Sequence, residues 1–172
     1  AGRTILGARA ASSHTGSLAG SDKVYDAIFD QCGVLRVETM EELFDYVKAF
    51  SSQPLPKGEN VAIVTNSGGP GILATDSCIR FGLNISPFQQ GTVKTLKTIL
   101  PPTASLNNPV DLIAEAQHEQ YAATLSAILD DRNVHSSIVI LTATSFTDVE
   151  KIAEAIVKTS KKFQKPVLCC FL

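Results

Sequence analysis

Val61-Ala62-Ile63-Val64-Thr65 is an unbroken apolar run, and it gives way at once to the glycine-rich turn Asn66-Ser67-Gly68-Gly69-Pro70-Gly71. A strand with one wet face alternates apolar and polar side chains; a strand with no polar face is covered on both sides, as in a parallel sheet flanked by helices. The rest of the chain extends the pattern. Residues 71–81 read as a helix stopped by Gly82, 83–86 as a weak strand, and 92–100 as a helix ended by Pro101-Pro102. A strand over 110–113, a helix over 118–129, a strand over 137–141, a helix over 148–163 and a strand over 167–172 follow. Strands alternating with helices predict an α/β fold, an open parallel sheet with helices on both faces.

A second block precedes this one. Residues 1–20 are rich in Gly, Ala and Ser with no apolar period and read as loop. Ser21 caps a helix that Gly33 stops, residues 34–37 form a short strand, and Thr39 with Glu42 makes a capping-box pattern before Met40, Leu43, Phe44, Val47 and Phe50 at helical spacing. The organisation expected is a first block over 1–50, a Pro/Gly/Ser linker over 51–58 and the α/β block over 59–172.

Composition excludes several functions. The 172 residues carry a net charge of −2, which gives no electrostatic footprint for nucleic acid or an anionic membrane. Lys158, Lys161, Lys162 and Lys165 gather at a helix end, where cations suit the dipole. Cys32, Cys78, Cys169 and Cys170 have neither CxxC nor metal spacing; Cys169 and Cys170 read as buried thiols, and a reducing cytoplasm is the compartment expected. No apolar stretch reaches membrane-spanning length and no signal peptide is visible.

Two short segments carry the chemistry. In an open α/β sheet, ligands bind beyond the carboxyl ends of the strands, where the turn over 66–71 sits. Its glycines let a ligand approach the backbone, and the following helix offers free N–H groups and the positive end of its dipole. Ser67, Gly68, Gly69 and Gly71 are therefore candidate phosphate-binding residues; a tight turn from strand to helix accounts for the same glycines equally well. The pattern is neither Walker A nor GxGxxG. The other segment is Ala11-Ser12-Ser13-His14-Thr15-Gly16, a histidine among small residues that admit a bulky group to the ring. A neutral imidazole is a competent nucleophile near pH 7, so His14 is the candidate catalytic residue. His118 and His135 read as surface residues, Asn107 and Asn108 as turn formers, and Asp111 as a possible wall of the ligand cleft.

At these residues the chain resembles the NDP-forming acyl-CoA synthetases, the family of ADP-forming acetyl-CoA synthetase and succinyl-CoA synthetase. Residues 11–22 are similar to the family's phosphohistidine loop, and residues 61–71 to the strand and helix start of its second ligase-CoA domain. Leu100-Pro101-Pro102 and Asn108-Pro109-Val110-Asp111-Leu112 match in order and spacing. The resemblance implies a flavodoxin-like domain preceded by the C-terminal part of a similar one. It implies a ligase that interconverts acyl-CoA, phosphate and NDP with free acid, CoA and NTP, through an acyl phosphate and a phosphohistidine at His14. CoA, ATP or ADP, and Mg2+ would be substrates or cofactors of the complete enzyme, which is a hetero- or homo-oligomer in this family. An ATP-grasp part and a CoA-binding domain would be the partners. This chain begins after the CoA-binding domain and carries no ATP-grasp segment, so it is expected to be a piece of a larger enzyme, inactive alone. Two other readings differ in kind. One is a non-catalytic regulatory or assembly module, as in fusions to protein acyltransferases; the other is a flavodoxin-like domain holding a flavin or nucleotide.

Overall fold

The computed structural model describes residues 2–15 and 21–172, the side chains of residues 14 and 15 excepted. The chain divides into two compact units, residues 1–48 and 49–172.

The first unit is helical. α1 spans Ile5–Thr15, α2 Asp22–Cys32, and α3 Met40–Ser52, which runs on into the second unit. The loop expected over 1–20 is therefore corrected for residues 5–15. Ala8, Ala10 and Ala11 are strong helix formers that need no apolar period, and the Thr4 hydroxyl accepts the Gly7 N–H (3.1 Å) at the helix start. Residues 34–37 form no strand, since no described neighbour pairs with them. Gly33 does end α2, in the left-handed conformation (φ 67°) that closes helices. The Thr39 hydroxyl accepts the Glu42 N–H (3.1 Å), while the Glu42 carboxylate returns to the N–H of Glu38 (2.7 Å). The Arg36 guanidinium pairs with Asp22 and Asp26 and holds the Asp22 carboxyl below the usual carboxylate range. No residue of α2 or α3 is buried, and Ile28, Phe44, Val47 and Phe50 stand exposed.

The second unit is the expected α/β block. β1 (Val61–Thr65), β2 (Val110–Asp111), β3 (Ser136–Leu141) and β4 (Val167–Phe171) form one parallel sheet in the order β2-β1-β3-β4. α4 (Gly68–Arg80), α5 (Gln90–Ile99), α6 (His118–Asp130) and α7 (Val149–Ser160) provide the connections. The apolar pentad now has its reason. Ala62 and Val64 face a core made with Leu96, Leu125, Ile128 and Ile152, whereas Val61 and Ile63 face a smaller cluster containing Cys78 of α4. Both faces of β1 are dry, and each fully buried aliphatic side chain contributes about 1.5–3 kcal/mol.

The weak strand expected over 83–86 is a single bridge, Asn60 to Asn84. Beside it, Asn108 does what a strand would do. Its Oδ1 accepts the Ile63 N–H (2.9 Å), and its Nδ2 donates to the carbonyls of Val61 (2.7 Å) and Ser86 (3.1 Å). It thereby satisfies the stretch of β1 that the short β2, paired only at Val64 and Thr65, leaves open. Two further expectations are corrected. Cys169 and Cys170 are exposed, because β4 is an edge strand whose residues beyond Val167 lie open. His135 is more than a surface residue: its Nδ1 accepts the Asn60 N–H (3.1 Å), and a methyl group on Gly58 would come within 2.4 Å of that nitrogen.

Candidate functional site

The carboxyl end of β1 is fastened before the turn begins. Thr65 is buried, and its hydroxyl donates to the Ser67 carbonyl (2.8 Å) while accepting the Ser67 N–H (3.0 Å). Asn66 is 3 % exposed. Its Nδ2 donates to the Thr142 carbonyl (2.9 Å) and its Oδ1 accepts the Thr142 N–H (2.8 Å). The side-chain amide thus pairs with the backbone just past β3 as a strand residue would, and locks the turn to the neighbouring strand.

From this anchor the chain enters α4. Ser67 occupies the N-cap in an extended conformation (φ −146°, ψ 122°) without a side-chain cap bond, and the first turn holds no acidic residue. The opening N–H groups of a helix have no intrahelical partner. Ser67 spends its own on Thr65, Pro70 has none, and that of Gly71 reaches the Ser67 carbonyl only at 3.4 Å. The amides of Gly68 and Gly69 remain, at the positive end of the helix dipole. Gly68 and Gly69 are both exposed, and a methyl group on Gly69 would meet nothing within 4 Å. Gly71 serves packing instead. A methyl group there would lie 3.0 Å from Thr65 Cγ2, so its bare Cα is what lets helix and strand meet. The structure brings the four sequence-predicted residues together in one turn and separates their roles.

Asp111, at the end of β2, is the carboxylate of this corner. Its Oδ1 accepts the Ile113 N–H (2.9 Å), and Ile113 adopts φ 63°. Its Oδ2 would be 3.4 Å from a methyl group on Gly68. Nearby, Tyr121 is fully buried, and burial raises its hydroxyl well above the ordinary phenol range, with the Asp111 charge adding to the rise. The phenol is neutral at physiological pH.

His14 belongs to α1 in the first unit; its side chain, and residues 16–20, lie outside the described residues. His118 and His135 stay apart from the turn: His118 is partly exposed beside Glu119 (3.1 Å), and His135 is bound to Asn60. A groove of about 500 Å³ lies between α6 and α7, lined by His118, Lys151, Glu154 and Lys158 among others. Among the described residues no cluster of His, Cys, Asp or Glu is placed to hold a metal ion. No helix there is long and apolar enough to cross a membrane. Sequence reasoning misses Asn66 because its partner lies 76 residues away; the local signal is no more than an amide side chain directly after an apolar strand.

Residues 1–50 match the succinyl-CoA ligase-like flavodoxin domain, and residues 61–169 match the ligase-CoA domain. The chain is 44% identical, over all of its length, to acetate–CoA ligase (ADP-forming) II subunit alpha of Pyrococcus furiosus, of which it covers 38%. It is 42% identical over 99% of its length to 4-hydroxybutyrate–CoA ligase (ADP-forming) of Nitrosopumilus maritimus, covering 24% of that protein. Among solved structures, acetyl-coenzyme A synthetase 1 of Ca. Korarchaeum cryptofilum, determined in complex with phosphate and ADP, superposes with a TM-score of 0.90 at 37% identity. That match covers 99% of this chain and 37% of the other. The chain thus spans well under half the length of these relatives.

Proposed function

This chain belongs to the ligase-CoA domain family, and we propose that it is the phosphoryl-handling part of an NDP-forming acyl-CoA synthetase. The observation that carries the reading is the pair of amides at Gly68 and Gly69. They are unspent, backed by a helix dipole, and sit at the strand end where α/β folds bind ligands.

The proposed reaction balances in three steps. Phosphate oxygen attacks the thioester carbonyl of acyl-CoA; a C–O bond forms, the C–S bond breaks, and CoA leaves as thiol. The imidazole of His14 attacks phosphorus of the acyl phosphate; a P–N bond forms and the carboxylate leaves. The β-phosphate of ADP then takes the phosphoryl group, the P–N bond breaks, and His14 returns to neutral imidazole. The turn over 66–71 supports the steps in which charge sits on the phosphoryl oxygens. Donors fixed before the reaction stabilise developing charge without reorganisation. The Asn66 pair and the Thr65 clasp supply that fixity.

An ATP-grasp domain or subunit would bind the nucleotide. With a CoA-binding domain it completes the proposed enzyme, in a hetero- or homo-oligomer. Mg2+ would travel with the nucleotide there, since no cluster of ligands among the described residues suits it. A cytoplasmic location suits CoA and ATP as substrates. The acetate and 4-hydroxybutyrate relatives support a small carboxylic acid as the acyl group. The test is to supply the complete protein, this chain together with those parts, with acetyl-CoA, phosphate and ADP. ATP and CoA should appear in equal amounts and only with phosphate present; CoA release without ATP under these conditions would refute the reading.

A further inference from the structure

We propose that Asp22 is a positioning residue for His14: with Arg3 and Arg36 it closes the base of the segment that carries the histidine, and so sets where the imidazole is presented. The inference rests on the reading of His14 as the phosphoryl carrier.

The first unit orders its helices without a dry core. None of its described residues is buried, so burial of apolar surface fixes those helices only weakly. Charged side chains gather instead at the helix starts. Arg3 lies two residues before α1, Asp22 is the first residue of α2, and Glu38 lies two residues before α3. The Arg3 guanidinium pairs with Glu38 and, through Nε, with Asp22 Oδ2 at 3.7 Å. The other oxygen of Asp22 pairs with Arg36, which also pairs with Asp26. The Arg36 guanidinium carbon lies 5.8 Å from the centre of the Phe29 ring, which holds it against α2. One carboxylate thus joins an arginine that precedes α1 to one that follows α2.

An isolated exposed ion pair contributes little to stability; the consequence here lies in what the pair closes. His14 is on the last turn of α1, about 14 Å along the helix from Ile5. By Asp22 the chain is back beside Arg3. The Arg3–Asp22 pair therefore closes the stretch over 4–21, which contains the nucleophile. A stretch closed at its base samples fewer positions than an open one, and misplacement by about 1 Å can cost about 10²-fold in rate. Asp26 pairs with Arg36 and is not part of that closure.

The test uses the complete protein, supplied with acetyl-CoA, phosphate and ADP. Release of CoA in the first turnover precedes the histidine step, and ATP formation follows it. Asp22→Asn should keep the CoA burst and the KM for acetyl-CoA within about twofold of wild type while lowering kcat for ATP formation by about 10- to 100-fold. Asp22→Glu should bring ATP formation back to within about fivefold, and Asp26→Asn, which removes a pair of the same kind, should hold it within about twofold. Arg3→Gln leaves Asp22 paired with Arg36; it should show the same selective loss, and it decides the matter if Asp22→Asn does not fold. Parallel loss of CoA release and ATP formation, an equal loss in Asp26→Asn, or ATP formation within about twofold of wild type in folded Asp22→Asn or Arg3→Gln would overturn the role of Asp22 and leave His14 standing. A wild-type protein that carries no phosphoryl group on His14 would overturn the carrier reading itself.

Discussion

Replacing His14 with alanine in the complete synthetase should lower ATP formation from acyl-CoA, phosphate and ADP by about 10³-fold or more, with thermal stability unchanged. Removing a covalent nucleophile takes away the intermediate itself, and only the contribution of binding and fixed dipoles remains. The loss should also be selective. CoA release, which depends on phosphate attacking the thioester, precedes the histidine step, so a first turnover of CoA should survive in His14→Ala. Parallel assays of CoA and of ATP separate the two. A variant that makes ATP at close to the wild-type rate would exclude His14 as the phosphoryl carrier.

The second large effect is structural and lies in the turn. Asn66→Ala should destabilise the second unit by about 2–4 kcal/mol in denaturant unfolding, because it leaves the Thr142 N–H and carbonyl without the partners they now have at 2.8 and 2.9 Å. Asn66→Asp isolates one half of the pair. As a carboxylate it still accepts from the Thr142 N–H but faces the Thr142 carbonyl with no proton. As the neutral acid it donates as the amide does. The folded-state pKa of the introduced acid is therefore raised above its unfolded value, and the stabilisation present at low pH is lost as pH rises through the folded pKa. Asn66→Asp should be closest to wild type in acid and furthest from it at neutral pH. A loss below about 1 kcal/mol in Asn66→Ala would show that water replaces the amide and that the turn is held by Thr65 alone.

What is legible in the sequence, and what is not, divides along the range of the interactions. The double-sided burial of β1 is legible because it needs only five adjacent apolar residues. The start of α4 is legible because glycine and proline act on their own backbone, although the helix begins at Gly68, earlier than residue 71. α1 is not. Its alanines make a helix without an apolar stripe, and a segment without period reads as loop. The strands expected over 34–37 and 83–86 have propensity but no run of neighbours to pair with, and a strand is defined by its neighbour. The candidate site shows the same division. Ser67, Gly68, Gly69 and Gly71 announce themselves in nearly consecutive residues, but that Gly68 and Gly69 keep free amides while Gly71 serves packing depends on Thr65 and on the helix start. Asn66 and Asn108 sit in stretches that read as turns, and each proves to be a substitute rung in the sheet, paired across 76 and 47 residues respectively. Nothing local distinguishes such an asparagine from one that merely turns the chain.

Whether this chain carries the phosphoryl group on a histidine is decided by labelling. The complete protein is incubated with γ-labelled ATP and quenched in base, and the labelled peptide is identified. One phosphoryl group per active chain is expected, stable in base, lost in acid, located on His14, and discharged when CoA and the carboxylic acid are added. A protein that makes acyl-CoA from ATP without such a label, or that carries it on another residue, would show that the phosphoryl group does not pass through His14.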